Sequence, residues 1–390
     1  MFAERTKYLK SSVIRETLKY SEDPEMISFA GGLPNPHTFP KKEILKLAKD
    51  VIANRPTALQ YGPTEGVKEL REALVKRSKN YGIKTDLENL IITTGSQQSL
   101  FLLAEILIDH GDKIAVESPT YLGALNAFSV FRPEYIGIEM DHDGMKVDIL
   151  EEHLRAGEKI KFVYTIPTFQ NPAGTKMTED RRKHLLELAE KHDFLIVEDD
   201  PYSELNYSGK EIRSIKSMDN SDRVVYLSTF SKILCPGFRL GWIIGRKDII
   251  EKMSVAKQAA DLCSGNFVQY IAAEYLERNI IDKQVKLIRK TYKQKRDLML
   301  AALEKHFSDI ATWTKPEGGM FLWLEFHKSI SVFDLFEYAI KEKVLFIPGA
   351  PFYAVHPKYN TMRLNFTNTD DELIEEGIAR LAHASRKFLK

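Results

Sequence analysis

The stretch Phe194-Leu195-Ile196-Val197-Glu198-Asp199-Asp200-Pro201-Tyr202 sets an unbroken apolar run directly before three carboxylates. An apolar run without polar alternation reads as a strand buried on both faces, the mark of a parallel sheet covered by helices. A carboxylate at the buried end of such a strand is costly unless a cation or hydrogen-bond donors meet it. A metal is one candidate, because three acids resemble a hard-cation site. No second acid or His cluster at ligand spacing supports it.

Working outward, strands of the same kind recur at 90–93, 113–117, 135–139, 161–165, 224–227 and 242–244. Helical patterns at 66–79, 96–109, 121–131 and 178–192 lie between several of them. This alternation predicts an α/β fold with a mostly parallel, doubly wound sheet. Past Arg278 the pattern changes. Ile281, Val285, Ile288 and Tyr292 keep helical spacing in a long helix running to about 306. A smaller α+β unit follows, with strands at 321–325, 344–347 and 362–366 and helices at 332–343 and the terminus. The expected organisation is an N-terminal arm over 1–40 beside the cleft, a large domain over 41–280 and a small C-terminal domain over 281–390.

Composition narrows the possible functions without naming one. Of 390 residues, 56 are Lys or Arg and 55 Asp or Glu, leaving a formal charge of +1. That balance removes the electrostatic case for nucleic acid or an anionic membrane as the main partner. Hydrophobic content of 43% and charged content of 28% fit a folded globular chain rather than disorder. Cys235 and Cys263 have no CxxC or Cys/His company, so neither a disulfide framework nor a structural zinc site is expected. No run approaches the ~20 apolar residues of a membrane span. Residues 1–7 are charged throughout and read as no signal peptide. The expected location is the cytoplasm.

In open α/β sheets ligands bind beyond the carboxyl ends of the strands. After 90–93 come Thr94-Gly95-Ser96-Gln97-Gln98, a glycine turn and a hydroxyl opening a helix. Free N–H groups there suit a phosphate, although Ser96 would equally serve as an N-cap. Neither GxGxxG nor GxxxxGK[ST] occurs, so dinucleotide and P-loop fingerprints are lacking. After 161–165 comes Asn171-Pro172-Ala173-Gly174, a turn former by composition. After 224–227 come Ser228-Thr229-Phe230-Ser231-Lys232, with Arg239 seven positions on. Each segment has a bland reading alone. Together, an imine-forming lysine, a carboxylate for a ring nitrogen and several phosphate donors describe pyridoxal 5'-phosphate.

These segments resemble the class I/II aminotransferases, pyridoxal-phosphate enzymes of fold type I. The resemblance spans about 27–366, with Asn171 28 residues before Asp199, and Tyr202 and Lys232 three and 33 after it. The segments Ile27-Ser28-Phe29-Ala30-Gly31-Gly32-Leu33-Pro34-Asn35-Pro36, Leu59-Gln60-Tyr61-Gly62-Pro63 and Gly95-Ser96-Gln97-Gln98 look like the 2-aminoadipate and kynurenine branch.

The resemblance implies that Lys232 holds the cofactor and later acts as base, and that Asp199 pairs with the ring nitrogen. It gives Asn171 and Tyr202 the ring oxygen and Tyr121 the ring face. The phosphate falls to Ser96, Gln97, Thr229, Ser231 and Arg239, with Tyr61 reaching in from a neighbouring subunit of a homodimer with shared active sites. It gives Arg363, with the backbone at Gly32, the substrate α-carboxylate. Asn171 also borders the substrate. Thr229 stands where serine is common, and Cys235-Pro236 stiffens the loop toward Arg239.

The implied reaction is ping-pong transamination between an L-amino acid, either 2-aminoadipate or an aromatic or aliphatic one, and 2-oxoglutarate/glutamate. Arg15 lies where the branch carries a mobile arginine for acidic side chains; it could equally be an exposed helix residue paired with an acid. A β-lyase or other non-transferring enzyme on the same scaffold is the alternative. A binding-only regulator would need a winged-helix extension, and a structural protein would have no use for Lys232 and Asp199 together.

Overall fold

A computed structural model describes residues 1–9, 11, 13–209 and 212–389; the side chains of residues 14, 15, 18 and 21 fall outside that description. The strands, in chain order, are β1 (Ile27–Ser28), β2 (Leu90–Thr93), β3 (Lys113–Ser118), β4 (Glu134–Asp141), β5 (Gly144–Met145), β6 (Ile160–Thr165) and β7 (Leu195–Asp199). They continue with β8 (Val224–Thr229), β9 (Gly241–Ile244), β10 (Ala311–Trp313), β11 (Phe321–Phe326), β12 (Val344–Leu345), β13 (Ile347–Pro348) and β14 (Thr361–Asn365).

Eight of them form one sheet in the order β2-β9-β8-β7-β6-β3-β4-β5. From β8 through β4 all neighbours are parallel. Side chains alternate across a strand, so each strand feeds two cores. Ala115, Val163, Ile196 and Val224 pack on one face with Leu150 and Leu185 from the helices Val147–Arg155 and Glu179–His192. Val116, Tyr164, Val197 and Val225 pack on the other with Leu103 and Phe128 from the helices Ser96–Leu107 and Leu122–Ser129. Burial of both faces explains the missing polar alternation.

The pairing also gathers the strand ends. Gly241, the first residue of β9, sits opposite Thr93 on one side and Thr229 on the other, both antiparallel. Strand β2 therefore runs parallel to β8. The helix opened by Ser96, the loop after Thr229 and the residues just before β9 all emerge at one edge, beside the ends of β6 and β7.

The smaller sheet, β10-β11-β14-β13, is antiparallel throughout. The run 344–347, expected as one strand, divides. Strand β12 pairs parallel with β1, whereas β13 pairs with β14. Pro348 lacks an N–H and lies on the edge strand of its sheet, where that loss is tolerated. Residues of the N-terminal segment are thus bound to the small sheet, and Asn365 N–H donates to Phe29 O at 2.8 Å. The helix Ile280–Phe307 is about 42 Å long. Its Tyr292 hydroxyl accepts from Asn35 N–H at 2.9 Å and anchors the same segment.

Candidate active site

Where the strand ends meet, a cavity of about 500 Å³ is lined by Gly32, Ser96, Gln97, Tyr121, Asn171, Asp199, Tyr202, Thr229, Ser231, Lys232, Arg239 and Arg363. These are the residues singled out from sequence, with two exceptions. Tyr61 is 79% exposed and outside the cavity wall. Arg15 is on the short helix Val13–Leu18, and its side chain lies outside the described residues.

The three carboxylates at the end of β7 do not converge on a cation. Glu198 points to the opposite face from Asp199 and accepts from the N–H groups of Ile215 and Lys216 at 2.9 and 2.8 Å. Asp200 accepts from Ser203 N–H at 3.0 Å and from the Tyr226 hydroxyl at 2.9 Å. Asp199 Oδ2 accepts from the Tyr164 hydroxyl at 2.8 Å, whereas its Oδ1 is buried and has no partner among the described residues. Burial pushes the Asp199 carboxyl up to about 7, partly opposed by the Tyr164 bond. A buried bare oxygen on a cavity-lining carboxylate suits a protonated ring nitrogen.

Lys232 Nζ donates to Gly32 O at 2.8 Å. Desolvation, with Arg363 and Arg239 nearby, brings its amine down to about 8. A lysine so placed gives up its proton more readily than an exposed one, as a nucleophilic or basic amine requires.

Arg363, on β14, is 1% exposed. Its guanidinium carbon lies 4.3 Å from the ring centre of Phe321 and 5.2 Å from that of Phe352. Nη1 donates to Asn171 Oδ1 at 2.9 Å and Nη2 to Ala30 O at 2.8 Å. Burial lowers its pKa to about 10. Tyr202 sits edge-on to Phe321, their ring centres 5.9 Å apart.

The anion end is built from backbone as much as from side chains. Gly95 has φ +75°, and a Cβ there would lie 2.5 Å from Arg239 Nη2. The missing side chain lets the guanidinium settle over the turn that opens the helix Ser96–Leu107, whose first N–H groups favour an anion. Arg239 ends the turn Pro236–Phe238 in a left-handed conformation, φ +51°. Thr229 Oγ1 donates to Leu240 O at 2.9 Å and accepts from Ser231 N–H at 3.1 Å, fixing both hydroxyls at the same end. Gln97 Nε2 donates to Gly123 O at 2.7 Å, and the Tyr121 hydroxyl lies 3.4 Å from Gln97 Oε1.

Among the described residues, Lys232, Arg239 and Arg363 have no ion-pair partner. Three unpaired cations, a bare carboxylate oxygen and a glycine-made cradle are the donor set that pyridoxal phosphate and an amino acid require. Sequence reasoning missed Tyr164 and the two rings around Arg363. Tyr164 lies in the run 161–165 beside Phe162, and the register of that strand with β7, which the sequence does not state, is what brings it to Asp199.

Residues 25–381 match the profile of the family described as Aminotransferase class I and II. An aromatic-amino-acid aminotransferase of Thermococcus litoralis is 48% identical, with 100% of this chain and 95% of that protein covered. A 2-aminoadipate transaminase of Thermus thermophilus is 36% identical, covering 100% and 97%. The crystal structure of Pyrococcus horikoshii kynurenine aminotransferase in complex with PMP superposes with a TM-score of 0.96 at 49% identity, covering 100% of this chain and 98% of that one.

Proposed function

The chain belongs to the class I and II aminotransferases, fold-type I enzymes that use pyridoxal phosphate, and from that premise we propose its substrates and the roles of its residues. The donor is an L-amino acid, aromatic, aliphatic or 2-aminoadipate, and the acceptor is 2-oxoglutarate. The observation that carries this reading is the set of unpaired cations Lys232, Arg239 and Arg363 around one cavity with Asp199.

When bound, pyridoxal phosphate supplies a carbonyl for the amine and a ring that takes up electron density from Cα. Asp199 Oδ1 keeps the ring nitrogen protonated. Asn171 and Tyr202 would hold the ring oxygen, Tyr121 would cover the ring face, and Ser96, Gln97, Thr229, Ser231 and Arg239 would bind the phosphate. Arg363, with the Gly32 backbone, clamps the α-carboxylate and thereby aims Cα–H at Lys232. With its amine free, Lys232 Nζ would take the Cα proton. Amino donor and oxo-acid acceptor both carry an α-carboxylate and need the same Arg363. They must therefore occupy the cavity in turn, which supports a ping-pong order.

Tyr61 completes the phosphate site of a neighbouring subunit in a homodimer, a role its exposure allows. Arg15 receives acidic donor side chains. The cleft lies between a large domain over 41–280 and a small one over 281–390, with the 1–40 arm beside it. Among the described residues no helix is long and apolar enough to cross a membrane; a cytoplasmic location belongs to the same proposal.

The test is a panel of amino donors with 2-oxoglutarate. An α-keto acid should form from at least one aromatic, aliphatic or acidic donor, and none from any donor rejects the reading. Recovery of the aminated cofactor after a single turnover separates transfer from β-elimination. Arg15→Ala should weaken acidic donors more than aromatic ones.

A further inference from the structure

Strand β6 places Tyr164 directly across from Val197 in β7. Partners across a parallel pair share a face, and so do residues two apart in one strand. Tyr164 and Asp199 therefore lie on the same side of the sheet, the side that carries the cavity. The Tyr164 ring is fully buried and meets Phe128 edge-on at 5.5 Å, which fixes the direction of its hydroxyl. That hydroxyl donates to Asp199 Oδ2 at 2.8 Å and leaves Oδ1 without a partner among the described residues.

We propose that Tyr164 is a positioning residue for the reaction: it occupies one Asp199 oxygen so that the other meets the cofactor's ring nitrogen, and it keeps the negative charge on Asp199. The inference rests on the reading of Asp199 as the ring-nitrogen partner. The groups that bear electrostatically on Asp199 are Tyr164, Asp200 and Glu117, with the phenols of Tyr121 and Tyr202 also close. Two of these are buried acids that disfavour a third charge, and burial disfavours it further. Tyr164 is the side chain whose hydrogen bond works in the other direction. Burial and Asp199 itself push the phenol's own pKa up, so it remains a donor across the working range. Without that bond the proton moves from the ring toward Asp199. The ring then draws electrons less strongly from Cα and from the nitrogen attached at Lys232.

The experiment compares wild type, Tyr164→Phe, Asp199→Asn and the double variant as holoenzymes. Tyr164→Phe keeps the ring packing and removes the donor. The expected result is a kcat loss of about 10–100-fold with little change in donor KM, the scale of lost support around a reacting group. The pH midpoint of the cofactor's visible absorbance change should rise in step, because a less electron-poor ring lets its imine nitrogen hold a proton more tightly. In the Asp199→Asn background the same substitution should add little. Fluorotyrosine at position 164 keeps the donor and should retain wild-type kcat and midpoint; this second variant carries the test if Tyr164→Phe is recovered unfolded. A Tyr164→Phe enzyme with unchanged kcat and midpoint, or a fluorotyrosine enzyme as impaired as Asp199→Asn, overturns the inference. If Asp199→Asn itself leaves kcat and spectrum unchanged, the reading of Asp199 has failed instead.

Discussion

Arg363 Nη1 donates to Asn171 Oδ1 at 2.9 Å across 192 positions of sequence. Arg363 belongs to the small sheet, and Asn171 comes after the end of β6 in the large one. One bond therefore ties the proposed carboxylate clamp to the proposed ring-oxygen donor. The other Arg363 bond, to Ala30 O, ties the clamp to the glycine-containing N-terminal segment. The three parts of the chain that form the cavity meet at this guanidinium, so its shape matters as much as its charge.

Replacing it by lysine tests that point. A lysine retains the charge but has neither the planar fork nor the flat faces that Phe321 and Phe352 cover. Arg363→Lys should raise KM for α-amino acids and 2-oxo acids by about 10–100-fold, the scale of a lost charge-assisted hydrogen bond. Donor amines without an α-carboxylate should show no such penalty. Steady-state kinetics on matched donors decides it, and equal losses for both classes reject the clamp.

The glycine cradle offers a comparison within one molecule. Gly95 and Gly111 both have positive φ, +75° and +87°, so alanine strains the backbone at either position. Around Gly111 a Cβ would meet nothing within 4 Å, whereas at Gly95 it would collide with Arg239. Gly111→Ala should lose about 1–2 kcal/mol of stability, and Gly95→Ala, whose φ +75° and ψ 161° fall in a region that glycine alone occupies readily, about 1–3 kcal/mol. Gly95→Ala alone should also weaken cofactor binding, about 10-fold or more if one charge-assisted contact is displaced. Cofactor titration followed by fluorescence separates the two effects.

The parallel strands were legible because burial on both faces demands apolar, β-branched runs, and 224–227 and 161–165 show them plainly. Legible strand ends brought Asn171, Asp199, Tyr202 and Lys232 together, since parallel strands release their C-terminal loops along one edge of the sheet. Other parts leave no such mark. Tyr164 and Phe162 lie in the same apolar strand, and only the register with β7 shows which one reaches Asp199. Ala30 acts through its carbonyl, which any residue possesses. The division of 344–347 between two sheets depends on where β1 and β14 present their edges. That information lies hundreds of residues away on one side.

Lys232 should make the cofactor-free protein less stable than it could be. Its amine sits at about 8 instead of the usual 10.5, so the folded state binds this proton less tightly than the unfolded chain. Below about 8 both states are protonated and folding bears the whole cost of the buried cation. Between 8 and 10.5 the cost declines, and above 10.5 it is gone. Lys232→Met should therefore raise the Tm of the cofactor-free protein by a few degrees at pH 7. The difference from wild type should shrink steadily toward pH 10.5. Thermal unfolding at several pH values checks the slope, and a difference independent of pH rejects the assignment.

The proposed sharing of active sites makes a prediction that no single variant can mimic. If Tyr61 serves the neighbouring subunit, a site draws Lys232 from one chain and Tyr61 from the other. Lys232→Ala should be inactive, and Tyr61→Phe should bind the cofactor weakly by losing a phosphate contact. In a mixed dimer one of the two sites receives both wild-type residues. Unfolding and refolding the two variants together at limiting cofactor should then yield more activity than the sum of the separate samples. The excess should be absent when the variants are mixed without subunit exchange. If refolding together restores nothing while size measurements show that dimers formed, Tyr61 serves its own chain or none, and the shared-site reading fails.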